Sequence, residues 1–327
     1  MKPARPLAVT LGDPAGIGPE IIAAAWRALG AQGPAFAAVG DADVLARHAP
    51  VRRIARLEEA HGADRLAVLH RPCAAPVQPG RPDPANAPAV IGWIETAVAL
   101  ALKGEASGVV TAPIAKSVLQ AGGFAYPGHT EFLGALTADA PWEGERGPVM
   151  MLAAPGLRTV PLTIHTPLRS VPDELTAETV VRAARVVDQA LRRDFGIVRP
   201  RLVLAGLNPH AGEGGSIGLE EADILAPAAE RLRAEGIDIR GPAPADTLFH
   251  EQARQAYDAA LCPYHDQALI PVKMLDFWGG VNLTLGLPII RTSPDHGTAF
   301  DIAGKGLARP DSLIAAIRLA AEIAARR

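Results

Sequence analysis

Short apolar, β-rich runs alternate with longer Ala- and Leu-rich helical patterns along almost the whole chain, and that alternation is what most restricts its fold. Residues 6–11 read as a strand, followed by a tight Gly/Pro turn and a helix over about 19–29. Further strands are expected at 108–111, 159–164, 201–206 and 257–261. Helical patterns cover 174–193, where Thr176 suits an N-cap and Glu178 the first turn, and 311–327, where apolar residues recur every three or four positions. Strands alternating with helices build parallel sheets covered on both faces, so the expected class is α/β. The proline-rich stretch over 71–88 reads as an exposed loop or a connection between lobes.

With 327 residues the chain suits one large α/β unit or two smaller lobes. Hydrophobic residues make up 49% but aromatics only 4%, so the core has to come from Ala, Leu, Val and Ile. The formal charge is −3 and the basic residues are scattered, which excludes the concentrated positive surface that nucleic acid requires. Cys73 and Cys262 stand too far apart for a CxxC motif or a disulfide framework, and they point to a reducing compartment. The first apolar stretch is too short for a signal peptide, and no later run approaches the ~20 apolar residues of a membrane span. A soluble, cytoplasmic protein with no nucleic-acid or membrane partner is expected.

Three of the nine histidines fall just past expected strand ends: His165 after 159–164, His210 in Asn208-Pro209-His210, and His265 in Tyr264-His265-Asp266-Gln267. Ligands of open α/β sheets gather at the carboxyl ends of strands, and three imidazoles with an open fourth position make a catalytic divalent-metal site. A single such histidine reads better as a loop residue satisfied by backbone, and only the shared strand-end context of all three brings the metal reading level with it. Gly128-His129-Thr130-Glu131 precedes a helical run, and its His/Thr pair suits a carboxylate or phosphate, or Thr130 simply caps the helix. The opening Gly12-Asp13-Pro14-Ala15-Gly16-Ile17-Gly18-Pro19-Glu20 matches neither the dinucleotide fingerprint nor the P-loop and shows only a tight turn, with Pro19 at a first helical position. Lys273, Asn282 and Arg291 precede a Gly-rich stretch over 292–306. Lys and Arg with an Asn between them suit a substrate bearing an oxyanion, against the plain alternative of a charged surface loop.

Several of these segments stand together in one known family. Residues 12–20, 128–132 (Gly-His-Thr-Glu-Phe), 208–213 (Asn-Pro-His-Ala-Gly-Glu), 264–267 and 291–299 (Arg-Thr-Ser-Pro-Asp-His-Gly-Thr-Ala) closely resemble the 4-hydroxythreonine-4-phosphate dehydrogenase family of pyridoxal phosphate biosynthesis. The resemblance runs in order from about residue 6 to the C-terminus. It implies two α/β lobes with a cleft between them, as in isocitrate and isopropylmalate dehydrogenases. The first lobe would span 1–127 and 290–327 and carry the NAD loop. The second would span 128–289 with the metal and substrate residues and a dimer interface.

The resemblance further implies that His165, His210 and His265 bind a divalent metal, the third ligand coming from the partner subunit of a homodimer. His129, Thr130, Lys273, Asn282 and Arg291 match the family's substrate positions. His296, Gly297, Thr298 and Asp301 lie in a stretch similar to the adenine-side NAD loop of the isocitrate and isopropylmalate dehydrogenases. One departure is Cys262-Pro263, where the family more often has Ala-Met. The implied reaction oxidises 4-phosphohydroxy-L-threonine with NAD or NADP to 2-amino-3-oxo-4-phosphobutanoate, which decarboxylates to 3-amino-2-oxopropyl phosphate. The metal is expected to be Zn²⁺, Co²⁺ or Mg²⁺, imidazole donors favouring the first two. Asp246, Asp266 and Asp295 are the candidate bases, and Asp266 equally suits a partner that orients a ligand histidine. Two alternatives stand beside this reading: a paralogue acting on erythronate or threonate 4-phosphate, and, more distantly, a metallohydrolase.

Overall fold

The computed structural model describes residues 4–62 and 64–327. The chain divides into two compact units, Met1–Pro141 with Leu287–Ala325, and Trp142–Gly286 with Arg326–Arg327.

The first unit is built on strands β1 (Leu7–Thr10), β2 (Phe36–Gly40), β3 (Val51–Ile54), β4 (Leu66–His70), β5 (Val109–Thr111) and β12 (Arg291–Pro294). Their order is β3-β4-β2-β1-β5-β12 and every pairing is parallel. Every residue of β1, β2 and β5 is buried, which is why these segments read as unbroken apolar runs rather than alternating ones. Edge strand β3 exposes Arg52 and Arg53, charges that discourage pairing with another chain. The stretch Pro84–Leu102 is long and apolar enough, by length and composition alone, to cross a membrane, which corrects the expectation that no run approaches that length. Here it forms the helix Ala87–Leu102, which buries Val90, Trp93, Ile94, Ala97 and Val98, with Trp93 Nε1 donating to Arg71 O at 3.1 Å.

The first unit extends past residue 127. Helix His129–Leu136 packs within it, the Phe132 ring meeting Phe124 edge-on at 5.1 Å between centroids. His129 and Thr130 therefore share a unit with Arg291.

The second unit contains β6 (Val149–Ala154), β7 (Leu157–Pro161), β8 (Arg201–Ala205), β9 (Asp238–Ala243), β10 (Ala259–Cys262) and β11 (Val281–Leu285). Their order is β11-β6-β7-β10-β8-β9. The β7-β10-β8-β9 part is parallel, whereas β6 runs antiparallel to both β7 and β11. The strand–helix alternation does not foresee this antiparallel half. It arises because Pro155-Gly156 turns β6 straight into β7, with Gly156 at φ +75°. Helix Ala177–Phe195 follows the expected pattern: Thr176 Oγ1 accepts from Thr179 N–H at 3.1 Å, and Gly196 closes the helix in the left-handed conformation. Its Val180, Val181, Val187 and Leu191 are buried, and each contributes about 1.5–3 kcal/mol by leaving water. A further core gathers Leu152, Leu157, Val203, Tyr257, Ala268 and Val272 from β6, β7, β8, the approach to β10 and the helix His265–Leu275.

Candidate active site

In the first unit the decisive group is Arg291, the opening residue of β12, which the parallel register sets beside Val109 of β5. Its side chain is buried, and Nη2 donates to Thr111 Oγ1 at 2.7 Å at the carboxyl end of β5. Removal from water pushes the guanidinium pKa down to about 10, which leaves it charged at neutral pH. Helix His129–Leu136 has extended Gly128 as its N-cap and no side chain capping it. Thr130 is therefore not the cap, and the plain reading of that motif fails. His129 is half-buried, and its Nε2 is shielded from solvent with no hydrogen-bond partner among the described residues. Burial first, and then the Arg291 charge, hold its pKa well below the ordinary 6.5, so the ring is neutral. A neutral imidazole with an unfilled nitrogen beside a buried cation suits an oxyanion. The cation supplies the attraction, and a ring N–H supplies a directed hydrogen bond.

The Gly-rich opening serves as a platform for the loop over 296–306. Ile17 N–H donates to Thr298 O at 3.0 Å, and Gly80 N–H donates to Ala15 O at 2.8 Å. A side chain at Gly16 would place its Cβ 2.9 Å from Thr298 O, so only glycine permits this approach. The Glu20 carboxylate accepts the amides of Gly304 and of Gly306, the latter at 3.2 Å. Asp13 Oδ1 accepts Ala15 N–H at 3.0 Å and closes the turn, and burial raises its carboxyl pKa. Of the expected cofactor residues, Thr298 is buried in this docking, whereas His296, Gly297 and Asp301 are exposed. The Asp295 amide donates to Ser312 Oγ at 3.1 Å.

In the second unit β7, β10 and β8 are adjacent and parallel, so His165, His265 and His210 all follow neighbouring carboxyl ends. Thr163 donates to Pro263 O through both N–H (3.2 Å) and Oγ1 (2.7 Å), tying the approaches to His165 and His265 together. The Cys262-Pro263 departure therefore leaves the carbonyl that matters in use. The His165 and His265 rings lie 6.1 Å apart between centroids. That is close to the spacing of about 5–6 Å for two imidazoles sharing one ion at ordinary metal–nitrogen distances. His265 Nδ1 is 2.6 Å from Asp266 Oδ1, a contact that leaves Nε2 as the nitrogen for a ligand. Among the described residues of one chain, no group of three His, Cys, Asp or Glu side chains is placed to hold an ion. The three histidines do not close on one point within a single chain. Imidazole nitrogens, one of them on a ring oriented by a carboxylate, are donors whose chemistry fits a divalent ion.

His210 lies in an unusual turn: every residue from His210 to Gly215 has φ between +44° and +94°. For His210, Ala211 and Glu213 this conformation costs about 1–2 kcal/mol each. Asn208, at the base of the turn, donates to the buried carboxylate of Glu221. Gln267 Nε2 donates to Gly206 O at 2.8 Å, and Gln267 Oε1 is buried with no partner among the described residues, as is Asn282 Oδ1 on β11. Lys273 Nζ stands 5.4 Å from the centroid of Phe277. Asp246 is exposed on the turn Ala245–Thr247. Sequence reasoning passed over Thr111, Glu20, Gln267 and Glu221. Glu20 and Gln267 stand inside the quoted motifs, but their partners are remote in sequence, and Thr111 and Glu221 carry no local signal.

The sequence pattern of the pyridoxal phosphate biosynthetic protein PdxA matches residues 33–320. The chain belongs to this family. A 4-hydroxythreonine-4-phosphate dehydrogenase of Caulobacter vibrioides is 63% identical over 328 residues, covering 99% of this chain and 98% of that protein. The protein of the same name from Paracoccus denitrificans is 55% identical over the full length of both chains. Among solved structures, the 4-hydroxythreonine-4-phosphate dehydrogenase of Klebsiella pneumoniae superposes with a TM-score of 0.86 at 40% identity, over 98% of this chain and 99% of that one. A terephthalate 1,2-cis-dihydrodiol dehydrogenase of Burkholderia xenovorans superposes at 0.64 with 32% identity, over 97% and 98%. The family's fold thus accommodates dehydrogenases named for different alcohols, and the substrate has to be read from side chains.

Proposed function

We propose that this chain oxidises 4-phosphohydroxy-L-threonine at its secondary alcohol, using NAD or NADP, to 2-amino-3-oxo-4-phosphobutanoate. That product loses CO₂ to leave 3-amino-2-oxopropyl phosphate. The observation that carries this reading is the buried Arg291 guanidinium beside neutral His129, whose Nε2 awaits a partner. The substrate's phosphate or carboxylate provides that partner. The 63% identity to a dehydrogenase named for this substrate favours it over erythronate or threonate 4-phosphate.

His129, Thr130 and Arg291 hold the anionic end, and Lys273 and Asn282 are the further substrate contacts. His165, His210 and His265 hold a divalent cation, which when bound supplies Lewis-acid polarisation of the substrate hydroxyl. Asp266 orients His265, and Asp246 or Asp295 accepts the hydroxyl proton. The docked loop with His296, Gly297, Thr298 and Asp301 would hold the adenine side of the dinucleotide, which when bound would supply the acceptor for the hydride from C3.

The active form is a homodimer that supplies the missing metal ligand from a second subunit. The helix His265–Leu275, which begins at one ligand, exposes Ile270 (59%), Met274 (81%), and beyond its end Phe277 (61%) and Trp278 (51%). Such a contiguous apolar patch fits a subunit interface.

The test is formation of reduced dinucleotide with 4-phosphohydroxythreonine, with threonate and erythronate 4-phosphates, and after metal chelation. Equal or faster turnover of a sugar-acid phosphate would overturn the substrate assignment, and full activity in metal-free protein would overturn the histidine assignment.

A further inference from the structure

The turn that carries His210 is held from behind at Asn208, where the buried Glu221 carboxylate takes both the backbone and the side-chain donor. Glu221 is 5% exposed and lies in the irregular helical turn Glu221–Leu225. Its Oε1 accepts the Asn208 backbone N–H at 2.7 Å, and its Oε2 accepts Asn208 Nδ2 at 2.9 Å. Asn208 Nδ2 also donates to Glu220 at 2.7 Å. The fit around this carboxylate is tight: a Cβ on Gly212 would lie 2.7 Å from Glu221 Oε2, and one on Gly206 would lie 3.3 Å from Oε1. The left-handed run from His210 to Gly215 begins two residues after Asn208, and three of its members are not glycine. A backbone of that kind persists only where its surroundings over-determine it, and here the buried Glu221 carboxylate grips its base at two points, with Glu220 holding the side-chain amide as well.

We propose that Glu221 is a positioning residue for His210: by clamping both donors of Asn208 it holds the left-handed turn in the one conformation that presents the His210 ring to a cation. Glu221 does not touch substrate or metal. It acts on the ring through the backbone of Asn208, Pro209 and His210, one step further removed than an outer carboxylate that orients a ligand histidine directly. The inference rests on the reading of His210 as a metal ligand.

Glu221→Gln keeps the side chain's size but replaces one acceptor oxygen with a donor. Whichever way the amide is turned, one of the two Asn208 donors then faces another donor. The experiment measures Zn²⁺ affinity of the dimeric protein by competition with a chromogenic chelator, for wild type, E221Q, N208A and H210A. Far-UV circular dichroism and the unfolding midpoint without metal serve as controls. In E221Q, Zn²⁺ affinity is expected to fall by about 10- to 100-fold. At fixed low Zn²⁺ its kcat falls while KM for the dinucleotide is unchanged, and excess Zn²⁺ restores kcat. N208A, which removes only the side-chain half of the clamp, shows a smaller loss and provides the reading if E221Q does not fold. Wild-type affinity in E221Q and N208A, alongside lost affinity in H210A, would overturn the clamp while leaving His210 as a ligand. Wild-type affinity in H210A would overturn the ligand reading itself, and the clamp's effect on metal with it.

Discussion

Replacing Arg291 by methionine separates what the guanidinium does for the substrate from what it does to the empty protein. Its pKa falls from the ordinary 12.5 to about 10 because the charge has been taken out of water. At about 1.4 kcal/mol per unit, holding that charge inside the first unit costs the free protein roughly 3 kcal/mol. Methionine fills similar space without charge, but it forfeits the hydrogen bond to Thr111 Oγ1, worth about 1 kcal/mol. These two terms alone favour the variant by about 2 kcal/mol, and the further contacts of Arg291 in the free protein reduce that gain. For a unit of this size each kcal/mol kept raises the unfolding midpoint by roughly 2–4 °C. The same change removes charge-assisted hydrogen bonds to the anion, each worth about 1.5–3 kcal/mol, so KM for the phosphorylated substrate rises by about 10- to 100-fold. Thermal unfolding followed by circular dichroism, with and without inorganic phosphate, reads both effects. Wild type gains stability from phosphate, whereas the variant starts higher and gains none. An R291M protein that melts below wild type, or that phosphate still stabilises, would refute the account of Arg291 as a buried anion receptor.

Three further outcomes follow from the same geometry. His129 is held neutral, its folded pKa lying below the unfolded 6.5, so the unfolded chain takes up the proton first. Its contribution is complete above pH 6.5 and is lost as pH falls beneath that value, by about 1.4 kcal/mol per pH unit, and His129→Gln should flatten this part of the stability curve in urea titrations. Glu20→Ala frees the amides of Gly304 and Gly306, so KM for the dinucleotide should rise several-fold with kcat and metal content near wild type. An unchanged KM would show that the loop needs no such anchor. Met274→Glu places a charge in the exposed apolar patch, and sedimentation should show monomer with metal binding lost; an intact dimer would move the interface elsewhere.

Much of this protein was legible before any coordinates. Strand–helix alternation implies α/β units, Thr176 caps its helix as its position suggests, and three histidines follow strand ends because those ends are marked by local apolar runs. The motifs, in order, identify the family. These are properties of neighbouring residues, and sequence records neighbours directly. It did not reveal the antiparallel β6–β7–β11 half, whose turn is a brief Pro-Gly step, nor the placement of His129 with Arg291 in one unit. The protonation of the site was hidden for a deeper reason. Arg291 meets Thr111 across 180 residues, and whether an imidazole is neutral or a carboxylate grips a strained turn depends on burial. Burial is a property of the folded whole: residue types supply the groups, and only packing removes the water that would otherwise set their charge.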